Sequence, residues 1–162
     1  MADEFKHLTK YIGKYQRHTF QNYDKFLWEL GVMQPRRKVV MMSTNYFEVD
    51  YDIQSEMFCF TFSAILKNIK IKFKLEEEFE EKTVDGREIR TIVTKVGNSF
   101  IFKQTPKIFG EKVVNMTLEF TRRDCLLTSY VIGSNLDYVH RQLFIKKLAS
   151  EHTRLQPWMM GV

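Results

Sequence analysis

Alternation between apolar and polar residues, sustained from residue 45 to residue 145, is the feature that most constrains the fold of this chain. In the first extended segment the apolar residues take every second position: Phe47, Val49 and Tyr51. The pattern recurs with Phe58, Phe60 and Phe62, and then with Ile69, Ile71, Phe73 and Leu75. Because successive side chains of a strand point to opposite faces, these segments are predicted to be half-buried β-strands.

Short turns separate the strands of the second half of the chain. Turn residues cluster at 84–87, 97–98, 109–111 and 133–135, and each cluster contains a glycine. The strands between them are predicted at 88–96, 100–104, 113–120, 126–131 and 138–145. Tight turns without crossover helices indicate an antiparallel meander. A meander of this length is expected to close into a barrel, because closure removes its exposed edges.

The segment 13–40 has a different pattern, in which a strand is followed by two short helices. We expect Asn22 to cap a helix that ends at Gly31. The apolar residues of that helix share one face: Tyr23, Phe26, Leu27 and Leu30. A second helix is predicted over 33–42, with Pro35 in its first turn. Since almost no linker separates them, the two helices should form a compact helix-turn-helix.

This segment resembles the amino-terminal signature of the fatty-acid-binding protein family, the intracellular lipid-binding proteins. The matching positions are Gly13, Tyr15, Asn22, Tyr23, Asp24, Phe26, Leu27, Leu30, Gly31, Val32, Arg37, Lys38 and Val39. Arg17 departs from the family, which usually has an aliphatic residue there. A second matching block covers 67–68, 72–81 and 83–87, with Glu76 in place of a usual glycine, so we expect a stiffer turn. The chain is thus identified as a divergent member of the family.

The resemblance implies a mainly β fold: a ten-stranded antiparallel up-and-down β-barrel, capped by a helix-turn-helix lid between the first two strands. It covers residues 11–147, with the lid at about 22–42. Residues 1–10 and 148–162 are then amino-terminal and carboxy-terminal extensions. Inward side chains cannot fill a wide barrel, so a partly apolar cavity that shields one hydrophobic molecule is expected.

The headgroup site is where the sequence differs from its relatives. Family members usually hold a carboxylate with two arginines and a tyrosine; here Leu118 takes the first arginine position. In the last strand Gln142 and Phe144 take the paired positions. A register shifted by one residue would turn Arg141 inward instead, and the two alternatives exclude each other. We favour Gln142 and Phe144, and glutamine suits a neutral hydroxyl, amide or ester better than a carboxylate.

The resemblance adds further ligand-binding candidates along the chain. Asp85 and Arg87 match a family pair near the cavity mouth, where an inward Arg87 could help to bind a carboxylate. Tyr23 belongs to the lid signature. Phe73 and Phe102 are inward aromatic residues that could line the cavity, and ordinary core packing explains them equally well.

The net charge of +5 raises the question of an anionic partner. Lys25, Arg36, Arg37 and Lys38 cluster on the helix pair and predict a portal that makes transient contact with anionic membranes. A merely solubilising basic surface explains them as well. Exposed aromatic residues interleaved with basic ones are not evident, so no nucleic-acid partner is expected.

The resemblance implies a non-enzymatic intracellular carrier. Its ligand is by default a long-chain fatty acid, alternatively a neutral lipid or retinoid-like molecule; a membrane-surface or protein-interaction module without tight ligand binding is the other alternative. No catalytic constellation, metal-ligand spacing or cofactor motif stands out. The first residues contain no signal-peptide core, and two cysteines fit a reducing compartment, so a cytoplasmic monomer is expected.

The last strand and the tail carry one more prediction. In the favoured register Val139, Leu143 and Ile145 point outward and make an unusually apolar outer face. The tail 148–162 contains Trp158, Met159 and Met160, and is predicted to fold back on this face or to dock a partner there. A disordered terminus is the alternative.

Overall fold

A computed structural model describes residues 7–64, 67–135 and 138–148 of the chain. Among the elements of these described residues are ten strands and two helices that follow the first strand. The strands are β1 Gly13–Gln21, β2 Tyr46–Asp52, β3 Met57–Phe62, β4 Ile69–Phe73, β5 Phe79–Lys82, β6 Glu88–Val96, β7 Ser99–Pro106, β8 Val114–Phe120, β9 Asp124–Val131 and β10 His140–Lys146. The helices, α1 Tyr23–Glu29 and α2 Arg36–Ser43, lie between β1 and β2. The predicted strand order and lid position are therefore confirmed.

The strands form one antiparallel sheet in the order β4-β3-β2-β1-β10-β9-β8-β7-β6-β5. The first and last strands pair, with Tyr15 opposite Lys146 and Phe20 opposite Gln142, so the sheet curls into a nearly closed barrel. β4 and β5 are its two edges, and no ladder joins them in the described residues. The barrel thus has one lateral opening, between β4 and β5.

Aromatic side chains pack the end of the barrel away from the lid. We call this cluster the closed end; its buried aromatic members are Tyr11, Tyr15, Phe47, Phe58, Phe60, Phe73, Phe100, Phe102, Phe120 and Phe144. Their rings meet mostly edge to face, as between Phe58 and Phe100, whose centroids are 5.2 Å apart. Tyr11 also donates a hydrogen bond to Asn98 Oδ1 in the β6–β7 turn (2.8 Å). The expectation that inward side chains leave the barrel interior unfilled is therefore wrong for this half, because phenylalanines occupy so many inward positions.

A second, smaller core lies under the lid and attaches it to the barrel. It contains Tyr23, Phe26 and Leu27 of α1 and Val40 of α2, packed on Val114 and Val131 of the sheet. The shared apolar face predicted for α1 is the face that is buried. Gly31, with a φ of 82°, ends the first helical segment in the left-handed region, where glycine carries no steric penalty.

Three local predictions are wrong. Asn22 makes no side-chain cap; its backbone is left-handed, with a φ of 60°, and its Nδ2 donates to the Val139 carbonyl (3.1 Å). The second helix begins at Arg36 rather than at residue 33, with Pro35 at its N-cap position. Val139, predicted to lie on the apolar outer face, is buried, and its carbonyl accepts the hydrogen bond from Asn22. Leu143 is half-buried and Ile145 exposed, as an outer face requires.

Candidate ligand-binding site

A cavity of about 100 Å³ lies between the lid and the closed end. We call it the lid chamber. Its walls come from both helices and from strands on opposite sides of the barrel: Tyr23, Phe26, Leu27, Val40, Thr44, Phe62, Ile69, Glu81, Lys82, Thr83, Val84, Asp85, Arg87, Gln104, Val114, Met116, Leu127, Ser129, His140 and Gln142. Small-molecule pockets usually enclose about 300–1,000 Å³, so the lid chamber by itself suits only part of a long-chain ligand.

Four buried polar side chains line one side of the lid chamber. Gln104, Ser129, His140 and Gln142 are each at most 6% exposed, and we call them the polar belt. Ser129 of β9 lies directly opposite His140 of β10, which places their side chains on the same inner face. The polar belt therefore separates the aromatic closed end from the lid.

His140 lies flat beneath helix α1. Its ring stacks on Tyr23, with centroids 4.2 Å apart and an interplanar angle of 17°, and on Phe26 at 5.3 Å. Burial, aided by the nearby Arg17, lowers the pKa of His140 to about 3, so the imidazole is neutral at physiological pH. Neither Nδ1 nor Nε2 has a hydrogen-bond partner among the described residues.

The register of β10 turns Gln142 and Phe144 inward. Each is 1% exposed, whereas Arg141 is on the outer surface. Of the two registers considered from the sequence, the structure thus has the one that removes Arg141 from the interior. Gln142 lines the lid chamber, and its Oε1 has no hydrogen-bond partner within the described residues.

Four of the sequence-predicted ligand residues belong to the closed end instead of the chamber wall. Phe73, Phe102, Leu118 and Phe144 are all buried in the aromatic cluster. Phe144 meets Phe47 edge to face at 4.8 Å, and Phe73 meets Phe102 at 5.6 Å. Leu118 and Phe144, at two of the clamp positions that the family resemblance implies, are therefore packed apolar side chains.

Asp85 and Arg87 lie together at the wall of the lid chamber. Arg87 Nε donates to Asp85 Oδ2 (2.6 Å) and Nη2 donates to Oδ1 (3.3 Å), so the two ends of the guanidinium fork hold one carboxylate. Both side chains are largely buried. The charge of Arg87 is compensated by Asp85, and its Nη1 has no partner in the part of the chain that is described.

Glu81 and Tyr23 are two further titratable residues in the wall of the lid chamber. Burial raises the pKa of the Glu81 carboxyl. At a given pH, Glu81 is therefore protonated in a larger fraction of molecules than an exposed glutamate would be. Burial also raises the pKa of Tyr23 to about 12, and its phenol shares a hydrogen bond with the Thr44 hydroxyl (3.1 Å). Tyr23 is thus neutral, and its hydroxyl is hydrogen-bonded to Thr44 at the carboxyl end of α2.

The predicted portal residues are not equivalent in the structure. Lys25, Arg36 and Lys38 are exposed, but Arg37 is used inside the lid, where its Nε donates to Asp24 (2.6 Å) and its Nη1 to the Val32 carbonyl (3.1 Å). Arg37 therefore contributes less free positive charge than the sequence indicates. Large apolar side chains are exposed on the same helix pair: Trp28, Met33, Val39 and Met42.

A wide groove of about 880 Å³ runs along the lateral opening of the barrel, between α2, β4 and β5. We call it the edge groove. Val40, Ile69 and Val84 line both the edge groove and the lid chamber, so the two spaces adjoin.

Arg17, which departs from the family pattern, ties the lid to the barrel. Its Nη1 donates to the Met41 carbonyl in α2 (2.7 Å), and its guanidinium lies over the Phe20 ring at 4.6 Å. The pairing of β1 with β10 shifts register between Arg17 and Thr19. An aliphatic residue at this position could not make the hydrogen bond to α2.

Sequence reasoning missed three members of the polar belt, namely Gln104, Ser129 and His140. A signal was available for Gln104 and His140, because each lies two residues from a predicted inward position along its strand: Phe102 and Gln142. Within residues 7–64, 67–135 and 138–148, no three His, Cys, Asp or Glu side chains are grouped as a metal ion would require. No helix among the described residues is long and apolar enough to cross a bilayer.

This protein is a ten-stranded meander barrel with a helical lid over an internal chamber, which is the architecture of lipid-binding barrels. The profile of the lipocalin / cytosolic fatty-acid binding protein family matches residues 12–130. A fatty acid-binding protein of Tyrophagus putrescentiae is 37% identical over 121 residues, which is 75% of this chain and 88% of the relative. The chain therefore belongs to the lipocalin / cytosolic fatty-acid binding protein family, and the family predicted from the sequence is confirmed.

Solved structures show the same fold. Lipid binding protein 8 of Caenorhabditis elegans superposes with a TM-score of 0.76 at 24% identity, covering 86% of this chain and 97% of that one. The fatty acid binding protein of Schistosoma mansoni, solved in complex with arachidonic acid, superposes with a TM-score of 0.75 at 20% identity, covering 86% and 98%.

Proposed function

We propose that this protein binds and carries a hydrophobic ligand without catalysing a reaction on it, and that a long-chain fatty acid is the default ligand. The observation that carries the proposal is the lid chamber, enclosed under the helix pair and adjoining an edge groove that is large enough for an acyl chain. Its relative from Tyrophagus putrescentiae is a fatty acid-binding protein, and the Schistosoma mansoni protein was solved with arachidonic acid.

The driving force for binding is burial of the acyl chain. Each methylene removed from water contributes about 0.8 kcal/mol, so a chain in the edge groove and the lid chamber gains several kcal/mol. Ligand contacts are assigned to Tyr23, Asp85, Arg87 and Gln142, which line the chamber. Phe73, Phe102, Leu118 and Phe144 are assigned to the packed support beneath it.

A neutral lipid or a retinoid-like molecule is the second candidate, favoured by the charges in the lid chamber. Gln142 is uncharged, Leu118 and Phe144 replace the other members of the family clamp, and Asp85 already neutralises Arg87. A buried carboxylate needs a cation or several hydrogen-bond donors to offset its desolvation. An alcohol, amide or ester has a smaller desolvation cost.

We also propose a cytoplasmic monomer that makes transient contact with anionic membranes through its lid. The description of its family names cytosolic proteins, and Cys59 and Cys125 are unpaired. Exposed Lys25, Arg36 and Lys38 lie on the same helix pair as exposed Trp28 and Met33, a combination that suits a membrane surface.

Native mass spectrometry of the purified full chain, followed by calorimetric titration of the delipidated protein with oleate, tests the proposed function. We expect a mass increment of one lipid molecule and saturable binding of oleate in a one-to-one ratio. If no lipid is retained and neither oleate nor a neutral lipid such as retinol binds, the carrier function is wrong. The protein-interaction module would then be the better interpretation.

A further inference from the structure

We propose that His140 is a specificity-determining residue of the ligand site, and that with Gln142 it binds the hydroxyl group of an alcohol-type amphiphile. This inference rests on the proposed carrier function and names the chemical class that the lid chamber selects. Both residues line the chamber from β10, two positions apart on its inner face.

The two side chains offer buried hydrogen-bonding atoms to the chamber. His140 is 2% exposed and Gln142 is 1% exposed. Nδ1 and Nε2 of His140 and Oε1 of Gln142 have no hydrogen-bond partner among the described residues. Buried polar atoms are rarely left unpaired, since each lost hydrogen bond costs free energy of folding, so a polar group that enters the chamber gains from meeting them.

The chemistry of these atoms matches a hydroxyl group. A neutral imidazole has one N–H donor and one acceptor nitrogen, and Gln142 Oε1 is an acceptor. A hydroxyl oxygen can accept from the His140 N–H while its proton is donated to Gln142 Oε1. Residues two apart on one face of a strand stand about 7 Å apart, a separation that a single hydroxyl can bridge when both side chains lean toward it.

A carboxylate fits the same place poorly. It can only accept hydrogen bonds, so it can bind the His140 N–H and the NH2 group of a turned Gln142 amide but cannot donate to any acceptor, and its charge needs a cation nearby. The cationic residues in the described chamber wall are Lys82, which is exposed, and Arg87, which is paired with Asp85 at 2.6 Å. The apolar chain of the ligand then leaves the chamber past Val40, Ile69 and Val84 into the edge groove.

Two substitutions at His140 separate hydrogen bonding from packing. His140→Phe keeps a ring that can stack on Tyr23 and Phe26 but has no ring nitrogens. His140→Gln keeps a donor and an acceptor but cannot stack. If His140 binds the hydroxyl, calorimetric titration should show octanol binding about tenfold more weakly to His140→Phe. His140→Gln should bind it nearly as tightly as the unmodified protein.

A purely structural role predicts the reverse order, with His140→Phe intact and His140→Gln impaired, and that result would overturn the proposal. Gln142→Met provides an independent variant: it should remove a preference for octanol over methyl heptyl ether, which cannot donate a hydrogen bond. Tyr130→Phe, which loses a hydrogen bond to Asn115 on the outer surface, is the matched control and should leave both affinities unchanged.

Titration of the unmodified protein with oleate, octanol and methyl heptyl ether distinguishes a failure of this inference from a failure of the proposed carrier function. If oleate binds but octanol binds no better than methyl heptyl ether, this inference is wrong and the carrier function stands. If no lipid is retained and oleate, retinol and octanol all fail to bind, both are wrong.

Discussion

At the scale of single residues, the departures from the family pattern have specific physical consequences. Arg17, where the resemblance implies an aliphatic residue, donates a hydrogen bond to the Met41 carbonyl of α2. Glu76, where the resemblance implies a glycine, adopts a φ of 61°, in the left-handed region. The first substitution adds a contact between the barrel and the lid, and the second adds backbone strain to the β4–β5 turn.

Replacing Glu76 by glycine should therefore stabilise the protein. A side chain in the left-handed region costs about 1–2 kcal/mol, and the greater flexibility of glycine in the unfolded chain returns part of this, so we expect a net gain of about 0.5–1 kcal/mol. Denaturant unfolding of the two proteins measures the difference.

The neighbouring Glu77 supplies the control. It is also exposed but has no positive φ, so Glu77→Gly has no strain to relieve and should destabilise the protein slightly. Equal effects of the two substitutions would contradict the assignment of strain to Glu76.

At the scale of elements, the sequence predicts what depends on strand parity. Alternation predicts that Gln142 and Arg141 point to opposite faces, but it does not choose between the two registers, because Leu143 and Ile145 are as apolar as Phe144. It cannot predict that the rings of Phe73 and Phe102 meet and fill the interior, since inward direction does not distinguish a cavity wall from a packed core. The pairing of Arg37 with Asp24 depends on how α1 and α2 meet, which no local pattern contains.

The lid carries a prediction about membranes that follows from this pairing. Lys25, Arg36 and Lys38 remain exposed, so reversing these three charges to glutamate should slow ligand transfer to anionic vesicles at least about tenfold, at about 1 kcal/mol per cation near the bilayer. Transfer of a fluorescent fatty acid to phosphatidylserine-containing vesicles measures the rate.

A matched charge reversal on the barrel distinguishes local docking from net charge. Arg90, Lys103 and Arg122 are also exposed but lie on β6, on β7 and in the β8–β9 turn, away from the helices. Their triple reversal changes the net charge equally and should slow transfer much less. If both triple variants transfer at the same rate, the lid is not the docking surface.

At the scale of the whole molecule, the barrel is divided into an aromatic closed end and a polar-lined lid chamber, and we expect this division to limit the size of the ligand. The predicted interaction of the tail 148–162 with the outer face stays a prediction, since residues 149–162 lie outside the described residues, and Leu148 is exposed. The division into a barrel domain and two extensions also stays a prediction. The structure also shows which residues adjoin the lid chamber on the side away from the helices: the aromatic rings of the closed end.

Phe102 of the closed end lies next to the wall of the lid chamber, and its removal should change which ligands fit. Phe102 lies opposite Met116 of the chamber wall and two residues before Gln104, so Phe102→Ala extends the chamber toward the closed end. The substitution should lower the free energy of unfolding by about 3–5 kcal/mol, because the surrounding rings collapse only in part. At the same time, calorimetric affinity should rise for fatty acids of increasing chain length.

Phe100→Ala removes an equally buried ring, paired with Leu118 deeper in the closed end, and should cost similar stability without altering the chain-length preference. An unchanged chain-length preference in folded Phe102→Ala would mean that the closed end does not limit the ligand, and that the edge groove alone accommodates the acyl chain.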